Sequence, residues 1–309
     1  MKPVTALQAA PTIIVTGAAG FLGRRVVARL AAAGQQVLAV DLRKAPDDLP
    51  PAVKYRRVDL GAGFDWLPEL AGAGFVLVHL AWNMNRADAD GQVASVRDFI
   101  RLLEGLPARN LHSVVGLGSA EEYGELEGQL REDMAPGNRL SAYGKAKHEA
   151  CRSLAAWARQ GGRQAVWLRP FVIYGPGQGG DMAVPYALRC ARERRPAEFS
   201  EGLQLRDFIH ADDVAVGIVQ AVAGLPNQAG TFAACNLGRG EPVRLRDVLE
   251  RIARNTGAQK LFNYGVRPLR ANEPQTQFAD LVSTESLLGW RARISWKEGI
   301  DALCGGGIE

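Results

Sequence analysis

The chain has 309 residues, of which 47% are hydrophobic and 23% are charged, and its formal net charge is +4. This composition is typical of an ordinary globular protein and excludes a disordered chain. The modest positive charge suits a small anionic ligand and does not require nucleic acid.

The four scattered cysteines and the absence of long apolar runs indicate the compartment in which the protein is expected to work. The cysteines form no Cys-x-x-Cys pair, which argues against a metal site and against a disulfide framework. No stretch approaches the ~18 uninterrupted apolar residues of a membrane span, and residues 1–11 do not resemble a signal peptide. We therefore expect a cytoplasmic protein with no membrane or nucleic-acid partner and no bound metal.

The first predicted elements are a strand, a glycine turn and a helix. Residues 13–15 are apolar, 16–23 contain three spaced glycines, and 24–30 are amphipathic. In such a turn the glycines permit a tight bend, backbone approach to a pyrophosphate and close packing of helix on sheet. The helix N-terminus offers N–H groups and a positive dipole end to phosphate. The segment therefore predicts a dinucleotide site.

The second predicted strand, 36–41, ends in an acidic residue. Asp41 lies about twenty residues beyond the glycines, where a carboxylate can accept hydrogen bonds from an adenosine ribose. Its charge repels a 2′-phosphate and favours NAD over NADP. Arg43 lies close enough to weaken that preference, so NADP stays open.

The remaining elements alternate in the first half of the chain and then become irregular. Strands are predicted at 53–60, 74–81, 111–117 and 164–169, and helices at 93–103, 142–160, 183–194, 211–223, 246–255 and 296–303. Strands that alternate with helices in this rhythm predict an α/β fold with a doubly wound parallel sheet. The irregular part from residue 171 onward is expected to form a smaller domain.

A tyrosine and a lysine share one face of the predicted helix 142–160. Tyr143 and Lys147 are four residues apart, and an ammonium close to a phenol favours the phenolate. Such a tyrosine can take a proton from a sugar hydroxyl while hydride leaves the same carbon. Ser119 follows a predicted buried strand and could hydrogen-bond the reacting oxygen.

In combination, these residues resemble the extended short-chain dehydrogenases/reductases, the family of nucleotide-sugar epimerases and dehydratases. The resemblance implies a Rossmann-type NAD(P) domain at 1–170, to which some later segments return, and a smaller α/β substrate domain at 171–309. It implies Ser119, Tyr143 and Lys147 as the catalytic trio, and a homodimer formed by a four-helix contact that includes the helix with Tyr143. It implies cofactor contacts for Gly17, Gly20, Phe21, Leu22, Gly23, Asp41, Arg43, Asp59, Leu60, Leu80, Ala81, Trp82, Tyr143, Lys147 and Pro170.

The same resemblance implies the substrate contacts. The stretch 206–214 is similar to a family signature in which the arginine, here Arg206, contacts the diphosphate of a sugar nucleotide. Arg270 and Glu273 resemble a later arginine–acid pair whose arginine also reaches the diphosphate, and guanidinium groups match phosphate oxygens well. Further substrate contacts are implied for Ser119, Glu121 and Val172.

The chain departs from the family pattern at three positions, and one of these departures bears on the type of reaction. Trp82 stands where a second alanine is usual, and Val172 lies in a stretch that often carries asparagine. Sugar-nucleotide dehydratases typically have an Asp–Glu pair after the catalytic hydroxyl, whereas this chain has Ala120 and Glu121. The missing acid argues against a standard dehydratase.

The sequence therefore predicts an NAD(P)-dependent enzyme that transfers hydride at C4 of a nucleotide-activated hexose. Asp41 favours an NDP-sugar epimerase that retains NAD. Residues 262–299 resemble NDP-4-keto-6-deoxyhexose reductases at least as well, so that alternative stays open. A dehydratase, a reductase of small carbonyl compounds and a non-catalytic NAD(P)-sensing protein are less favoured.

Overall fold

The computed structural model describes residues 11–64, 66, 74–107, 110–180, 182–224, 230–269 and 273–305. The strands are β1 (Thr12–Thr16), β2 (Val37–Asp41), β3 (Lys54–Arg57), β4 (Phe75–His79), β5 (Leu111–Leu117), β6 (Gly128–Leu130), β7 (Gln164–Pro170), β8 (Val172–Tyr174), β9 (Ala197–Glu198), β10 (Leu205–Arg206), β11 (Phe208–His210), β12 (Phe232–Leu237), β13 (Val243–Arg244), β14 (Phe262–Asn263) and β15 (Thr276–Ala279). The α-helices are α1 (Phe21–Ala32), α2 (Ala89–Gly105), α3 (Ala142–Gln160), α4 (Ala183–Arg192), α5 (Ala211–Gly224), α6 (Leu245–Thr256), α7 (Val282–Leu288) and α8 (Trp296–Gly305).

The central sheet has seven strands in the order β12-β7-β5-β4-β1-β2-β3. β1 pairs in parallel with both β2 and β4, and β2–β3 and β4–β5 are parallel as well. Thr16 is aligned with Val40 on one side and with His79 on the other, so three strands end at the same edge. The strand order reverses at β1, which is where ligands bind in open α/β sheets. The predicted doubly wound parallel sheet is confirmed.

Several elements differ in length from their predictions, and two of these differences have a clear local reason. The strand predicted at 53–60 stops at Arg57, because its neighbour β2 ends at Asp41, the residue paired with Arg57. The helix predicted at 93–103 begins earlier, at Ala89, because the Asp88 side chain accepts a hydrogen bond from Gly91 N–H. An aspartate in this position satisfies one of the free N–H groups of the first helical turn.

The chain divides into two compact units that interleave along the sequence. The first unit comprises 1–117, 148–167 and 221–233, and the second comprises 118–147, 168–220 and 234–309. The predicted domain boundary at residue 170 stays a prediction.

An apolar core holds the first unit together. Ile14 and Leu77 from the sheet are fully buried, as are Leu154 of α3 and Trp167 of β7. The indole N–H of Trp157 on α3 donates to the carbonyl of Leu103 on α2 at 2.9 Å, so these two helices are neighbours. Truncating a buried aromatic side chain such as Trp167 typically costs about 3–5 kcal/mol.

The second unit has smaller sheets and its own core. β13-β10-β15-β6 form a four-stranded sheet, and β11-β8 and β14-β9 form pairs. On α6 the buried residues Val248, Leu249, Ile252 and Ala253 recur at helical spacing, which explains why this segment forms a helix that packs on one face. They belong to one apolar cluster with residues of α4 and α8.

Candidate active site

The glycine turn of the first unit leaves no room for side chains. A Cβ on Gly17 would lie 2.6 Å from Ala81 N, and a Cβ on Gly23 would lie 2.1 Å from Gly17 O. Gly17 also has φ +69°, a conformation that other residues rarely adopt. The turn is closed by a 2.9 Å hydrogen bond from Gly20 N to Gly17 O. The tight packing of the turn therefore requires glycine at these positions.

The helix that follows the turn begins without a polar cap. No side chain caps α1 at Gly20, and its first turn carries no acidic residue. The free N–H groups and the positive end of the helix dipole are thus left for an anion, as a pyrophosphate requires. Phe21 and Leu22 occupy the first two positions of this helix, which begins three residues before the predicted start at residue 24. The residues present fit the diphosphate of a dinucleotide.

Asp41 is held beside the same turn. The Ala19 N–H donates to its Oδ2 at 3.0 Å, and the Arg43 guanidinium donates to both of its carboxylate oxygens at 3.1 and 3.2 Å. Burial acts to raise the pKa of Asp41, but hydrogen bonds from Arg43 and Ala19 outweigh it and set the pKa below its ordinary value. Asp41 is therefore an oriented carboxylate, and Arg43 partly neutralises it.

The other predicted cofactor residues of the first unit lie at the ends of neighbouring strands. Leu80 N donates to Thr16 O at 3.2 Å, and Ala81 packs against Gly17. The indole N–H of Trp82 donates to Gln92 of α2 at 2.8 Å, which anchors the residue that replaces the usual alanine. Asp59 and Leu60 follow β3, where Leu60 packs on the core and Asp59 accepts from Gly61 N–H. The roles of these residues toward a cofactor stay predictions.

The three predicted catalytic side chains lie in the second unit and are all buried. Ser119 is 8% exposed, Tyr143 5% and Lys147 3%. Lys147 Nζ lies 5.8 Å from the centroid of the Tyr143 ring. Ser119 Oγ accepts a hydrogen bond from Glu121 N–H at 3.1 Å, which leaves the O–H of the serine as a donor.

Contacts through Glu121 join the segment of Ser119 to the helix of Tyr143. Ser141 Oγ donates to Glu121 Oε2 at 2.9 Å and accepts from Gly144 N–H at 3.0 Å, so Ser141 also caps α3. A Cβ on Gly144 would lie only 2.4 Å from Glu121 O. The first turn of α3 can therefore approach the serine segment only because residue 144 is glycine. The structure thus brings the predicted trio together in one region of the second unit.

Sequence reasoning missed a buried polar network next to Ser119. Glu122 forms an ion pair with Arg169 at 2.9 Å, and Arg169 also donates to the hydroxyl of Tyr123 at 3.2 Å. The spacing of Ser119 and Glu122 is that of a capping box, S-x-x-E, and this signal was present in the sequence. The partner Arg169 is far away in sequence, and no local pattern could have found it.

The guanidinium of Arg206 is held in place by polar groups of the second unit. Its guanidinium donates to Glu273 Oε1 at 3.0 Å and to the carbonyl of Pro274 at 2.7 Å. Gln204 donates to the same oxygen of Glu273 at 3.1 Å. Burial lowers the pKa of Arg206, and the nearby Glu273 carboxylate opposes that effect. The other predicted diphosphate ligand, Arg270, lies outside the described residues.

Two further predicted residues, Pro170 and Val172, follow Arg169 in the chain. Pro170 ends β7 and is buried. Val172 begins β8, donates its N–H to Asp207 O at 2.9 Å and packs on the apolar cluster of the second unit. Val172 therefore has apolar surroundings that suit its side chain, and its contact with a substrate stays a prediction.

The described residues contain neither a metal-binding cluster nor a helix that could cross a membrane. In the part of the chain that the structure describes, no cluster of three or more His, Cys, Asp or Glu side chains is arranged to hold a metal ion. Within the same residues, no helix combines the length and apolar character needed to cross a membrane.

Similarity to known proteins agrees with this geometry. Residues 13–237 match the family described as NAD dependent epimerase/dehydratase. A UDP-glucose 4-epimerase of Drosophila melanogaster is 28% identical, over 96% of this chain and 95% of the relative. The structure of MoeE5 in complex with UDP-glucuronic acid and NAD is 31% identical with a TM-score of 0.83, covering 94% of this chain and 96% of that one.

A second solved structure extends the comparison. The UDP-glucuronic acid 4-epimerase from Bacillus cereus, in complex with UDP-glucuronic acid and NAD, is 26% identical with a TM-score of 0.84. It is matched over 95% of this chain and 98% of its own length. The protein belongs to the NAD-dependent epimerase/dehydratase family and is an enzyme of that family. The predicted family resemblance is confirmed.

Proposed function

We propose that the protein is a UDP-sugar 4-epimerase, which inverts C4 of a UDP-hexose with retained NAD. The observation that carries the proposal is the burial of Tyr143 and Lys147 on one helical face, with Ser119 held against the start of that helix through Glu121. The names of the relatives, UDP-glucose 4-epimerase and UDP-glucuronic acid 4-epimerase, supply the substrate class.

Each catalytic side chain has one task. Tyr143 takes the proton of the C4 hydroxyl as the C4–H bond breaks and returns it in the reverse step. The Lys147 ammonium stabilises the phenolate form of Tyr143 electrostatically. Ser119 donates a hydrogen bond to the C4 oxygen, which keeps that oxygen fixed during the transfer. Bound NAD supplies the site that accepts the hydride from C4 and gives it back.

The first unit provides the features that favour NAD as the cofactor. The glycine turn and the uncapped start of α1 suit a pyrophosphate, and the carboxylate of Asp41, held beside the turn by Ala19 N–H, is the proposed acceptor for ribose hydroxyls. A carboxylate at this position disfavours a 2′-phosphate. We therefore propose NAD as the cofactor. Because Arg43 keeps part of its positive charge, we expect NADP to bind as well, but more weakly than NAD.

Arg206 is proposed to bind the diphosphate of the substrate. Its present partners are Glu273 and a backbone carbonyl, so a diphosphate must displace a contact that already exists. Gln204, beside them, is 4% exposed, and its Oε1 accepts no hydrogen bond among the described residues.

The test is to incubate the NAD-loaded enzyme with UDP-glucose, UDP-galactose, UDP-glucuronic acid and the corresponding dTDP, GDP and CDP hexoses. We expect at least one pair of UDP sugars to interconvert to the same equilibrium from both sides, followed by proton NMR of C4. A dependence on added NADH with a 1:1 stoichiometry would instead identify a 4-ketoreductase. Loss of a C6 hydroxyl from the product would identify a dehydratase.

We also propose that the enzyme is a cytoplasmic homodimer. Support for the dimer comes from the neighbouring helices α2 and α3, and from Val93 of α2, which is 68% exposed. The four cysteines are free, which suits a reducing compartment. Light scattering coupled to gel filtration is expected to give twice the 33.3 kDa chain mass. Substituting Val93 with Glu should shift the protein toward the monomer.

A further inference from the structure

The orientation of Ser119 depends on its backbone. Ser119 lies two residues after the end of β5 and directly before the short 3-10 turn formed by residues 120–123. Its N–H donates to Glu122 Oε1 at 2.9 Å, and its Oγ accepts from Glu121 N–H at 3.1 Å. Because the hydroxyl is tied to the backbone of the turn, the direction of its O–H follows from the position of that backbone. Glu122 is the side chain that fixes it.

Glu122 is itself held by a buried cation. The side chain of Glu122 is 1% exposed and that of Arg169 is 7% exposed, and Glu122 Oε2 accepts from Arg169 Nε at 2.9 Å. The Arg169 guanidinium donates further to Tyr123 Oη at 3.2 Å and to the carbonyl of Glu132 at 3.1 Å. A charge this deeply buried is tolerated because it is paired and hydrogen-bonded.

The network continues into β12. Tyr123 donates to Asn236 Oδ1 at 2.7 Å, and Asn236 Nδ2 donates to the carbonyl of Leu130 at 2.8 Å. Burial raises the pKa of Tyr123 to about 12, so its hydroxyl stays neutral at physiological pH and can donate. A chain of buried side chains thus connects the backbone of Ser119 to β12 and β6 of the second unit.

We propose that Glu122 and Arg169 are positioning residues that hold Ser119 in the orientation needed for transfer at C4, an inference that rests on the proposed function. Burying an ion pair often stabilises a fold no better than apolar residues of the same volume. The pair is placed directly on the backbone of a residue whose hydroxyl must meet a reacting oxygen, where small displacements lower the rate strongly. Its effect is therefore expected in kcat and not in KM.

The first test compares two substitutions of the same residue. Glu122→Val removes the acceptor of the Ser119 N–H, and kcat is expected to fall about 10–100-fold with KM changed less than about threefold. Glu122→Gln keeps an oxygen acceptor at the same place and should recover most of the loss. The control is Asp213→Asn, since Asp213 is 5% exposed and accepts two backbone N–H groups of the same unit, from Arg293 and Ile294. The control should lower Tm and leave kcat within about twofold.

The second test is a double-mutant cycle with Ser119→Ala. If Glu122 acts through Ser119, the double variant with Glu122→Val should be no more than about twofold slower than Ser119→Ala alone. Losses that multiply in the double variant would overturn the proposal. An equal loss of kcat in Asp213→Asn would do the same, because the effect would then be one of general stability.

Hydrogen exchange separates this proposal from the proposed function. In the NAD-loaded enzyme, the amide of Ser119 should exchange faster in Glu122→Val than in wild type, and at the wild-type rate in Asp213→Asn. Wild-type protein that converts no UDP sugar would refute the proposed function, and the exchange result would still decide whether Glu122 fixes Ser119. An unchanged exchange rate in Glu122→Val, or in Arg169→Met if the first variant does not fold, would contradict the positioning role.

Discussion

The glycine turn of the first unit presents mainly backbone groups, whereas the segment around Ser119 in the second unit, here called the serine segment, presents mainly side chains. The turn offers backbone N–H groups in a tightly packed bend without side chains, and only Asp41 adds a fixed side chain. The serine segment relies on side chains throughout, from Ser119 through Glu122 and Arg169 to Asn236. A phosphate needs donors and close approach, which backbone supplies, whereas proton transfer needs one hydroxyl in one place.

This difference predicts where the protein tolerates change. Adding a single methyl group should damage the turn because no space exists for it. In the serine segment, removing or neutralising a polar group should be the more damaging change, because its partners are buried and have no water to replace it. The predictions below test the two behaviours, from the largest expected effect to the smallest.

Tyr143→Phe should lower kcat by about 10³-fold, since it removes the only group proposed to carry the C4 proton. The affinity for NAD should change by less than about threefold, because the ring and its packing remain. Turnover by NMR and NAD titration by fluorescence quenching measure the two quantities. Wild-type turnover in this variant would rule out Tyr143 as the acid/base.

Gly23→Ala should weaken NAD binding by about 100-fold, because the added Cβ would lie 2.1 Å from Gly17 O and the turn must open. Gly34→Ala is the matched control: Gly34 follows the end of the same helix α1, and its Cβ would meet nothing within 4 Å. Because Gly34 has φ +73°, the control is expected to lose about 1 kcal/mol of stability and no NAD affinity. Equal losses of affinity in both variants would contradict a specific role for the turn.

Gly144→Ala should lower kcat about 10–100-fold by moving the start of α3 away from Glu121, whose carbonyl lies 2.4 Å from the added Cβ. NAD affinity should be retained, which distinguishes this variant from Gly23→Ala. Gly305→Ala, at a helix end with nothing within 4 Å, should behave as wild type. A wild-type kcat in Gly144→Ala would show that the approach of the two segments is not needed for catalysis.

Asp41→Asn should raise the affinity for NADP relative to NAD by about tenfold, because it removes a negative charge that repels the 2′-phosphate. Asp301→Asn, which breaks an exposed ion pair with Arg251 in the second unit, should leave the ratio unchanged. Parallel titrations with both dinucleotides measure the ratio. A ratio unaffected by Asp41→Asn would mean that this carboxylate does not face the ribose.

The same variant should show a pH-dependent loss of stability. The pKa of Asp41 is held below 3.8 in the fold, so its carboxylate stabilises the native state above that pH and loses this effect as the pH falls through its lowered value. Asp41→Asn is expected to cost about 1–2 kcal/mol at pH 7 and progressively less below pH ~4. Urea unfolding of both proteins at pH 7 and pH 3 tests the sign, which would be wrong if the gap widened on acidification.

Local patterns were sufficient for the sheet and for the residues at its edge. The parallel sheet followed from the alternation of strands and helices, and the position of Asp41 from its distance to the glycines. The pattern at Tyr143 and Lys147 predicted a shared helical face because both residues lie on one helix, four positions apart. For Asp41 and for the tyrosine–lysine pair, the information lay in a short stretch of sequence.

Contacts between distant segments could not be predicted in the same way. Arg169 meets Glu122 across 47 positions, and Tyr123 meets Asn236 across 113. The ion pair of Arg206 with Glu273 spans 67 positions. Such pairs depend on which loops the sheet order brings together, and no local sequence pattern reports that order.

The most direct test of the central claim follows a labelled hydrogen through turnover. NAD-loaded enzyme is supplied with a UDP-hexose that carries deuterium at C4, and both the product and the absorbance at 340 nm are monitored. The account predicts a C4 epimer that retains the deuterium at C4, with no net formation or consumption of NADH. Release of the label to solvent, or product formed only as NADH is consumed, would contradict it.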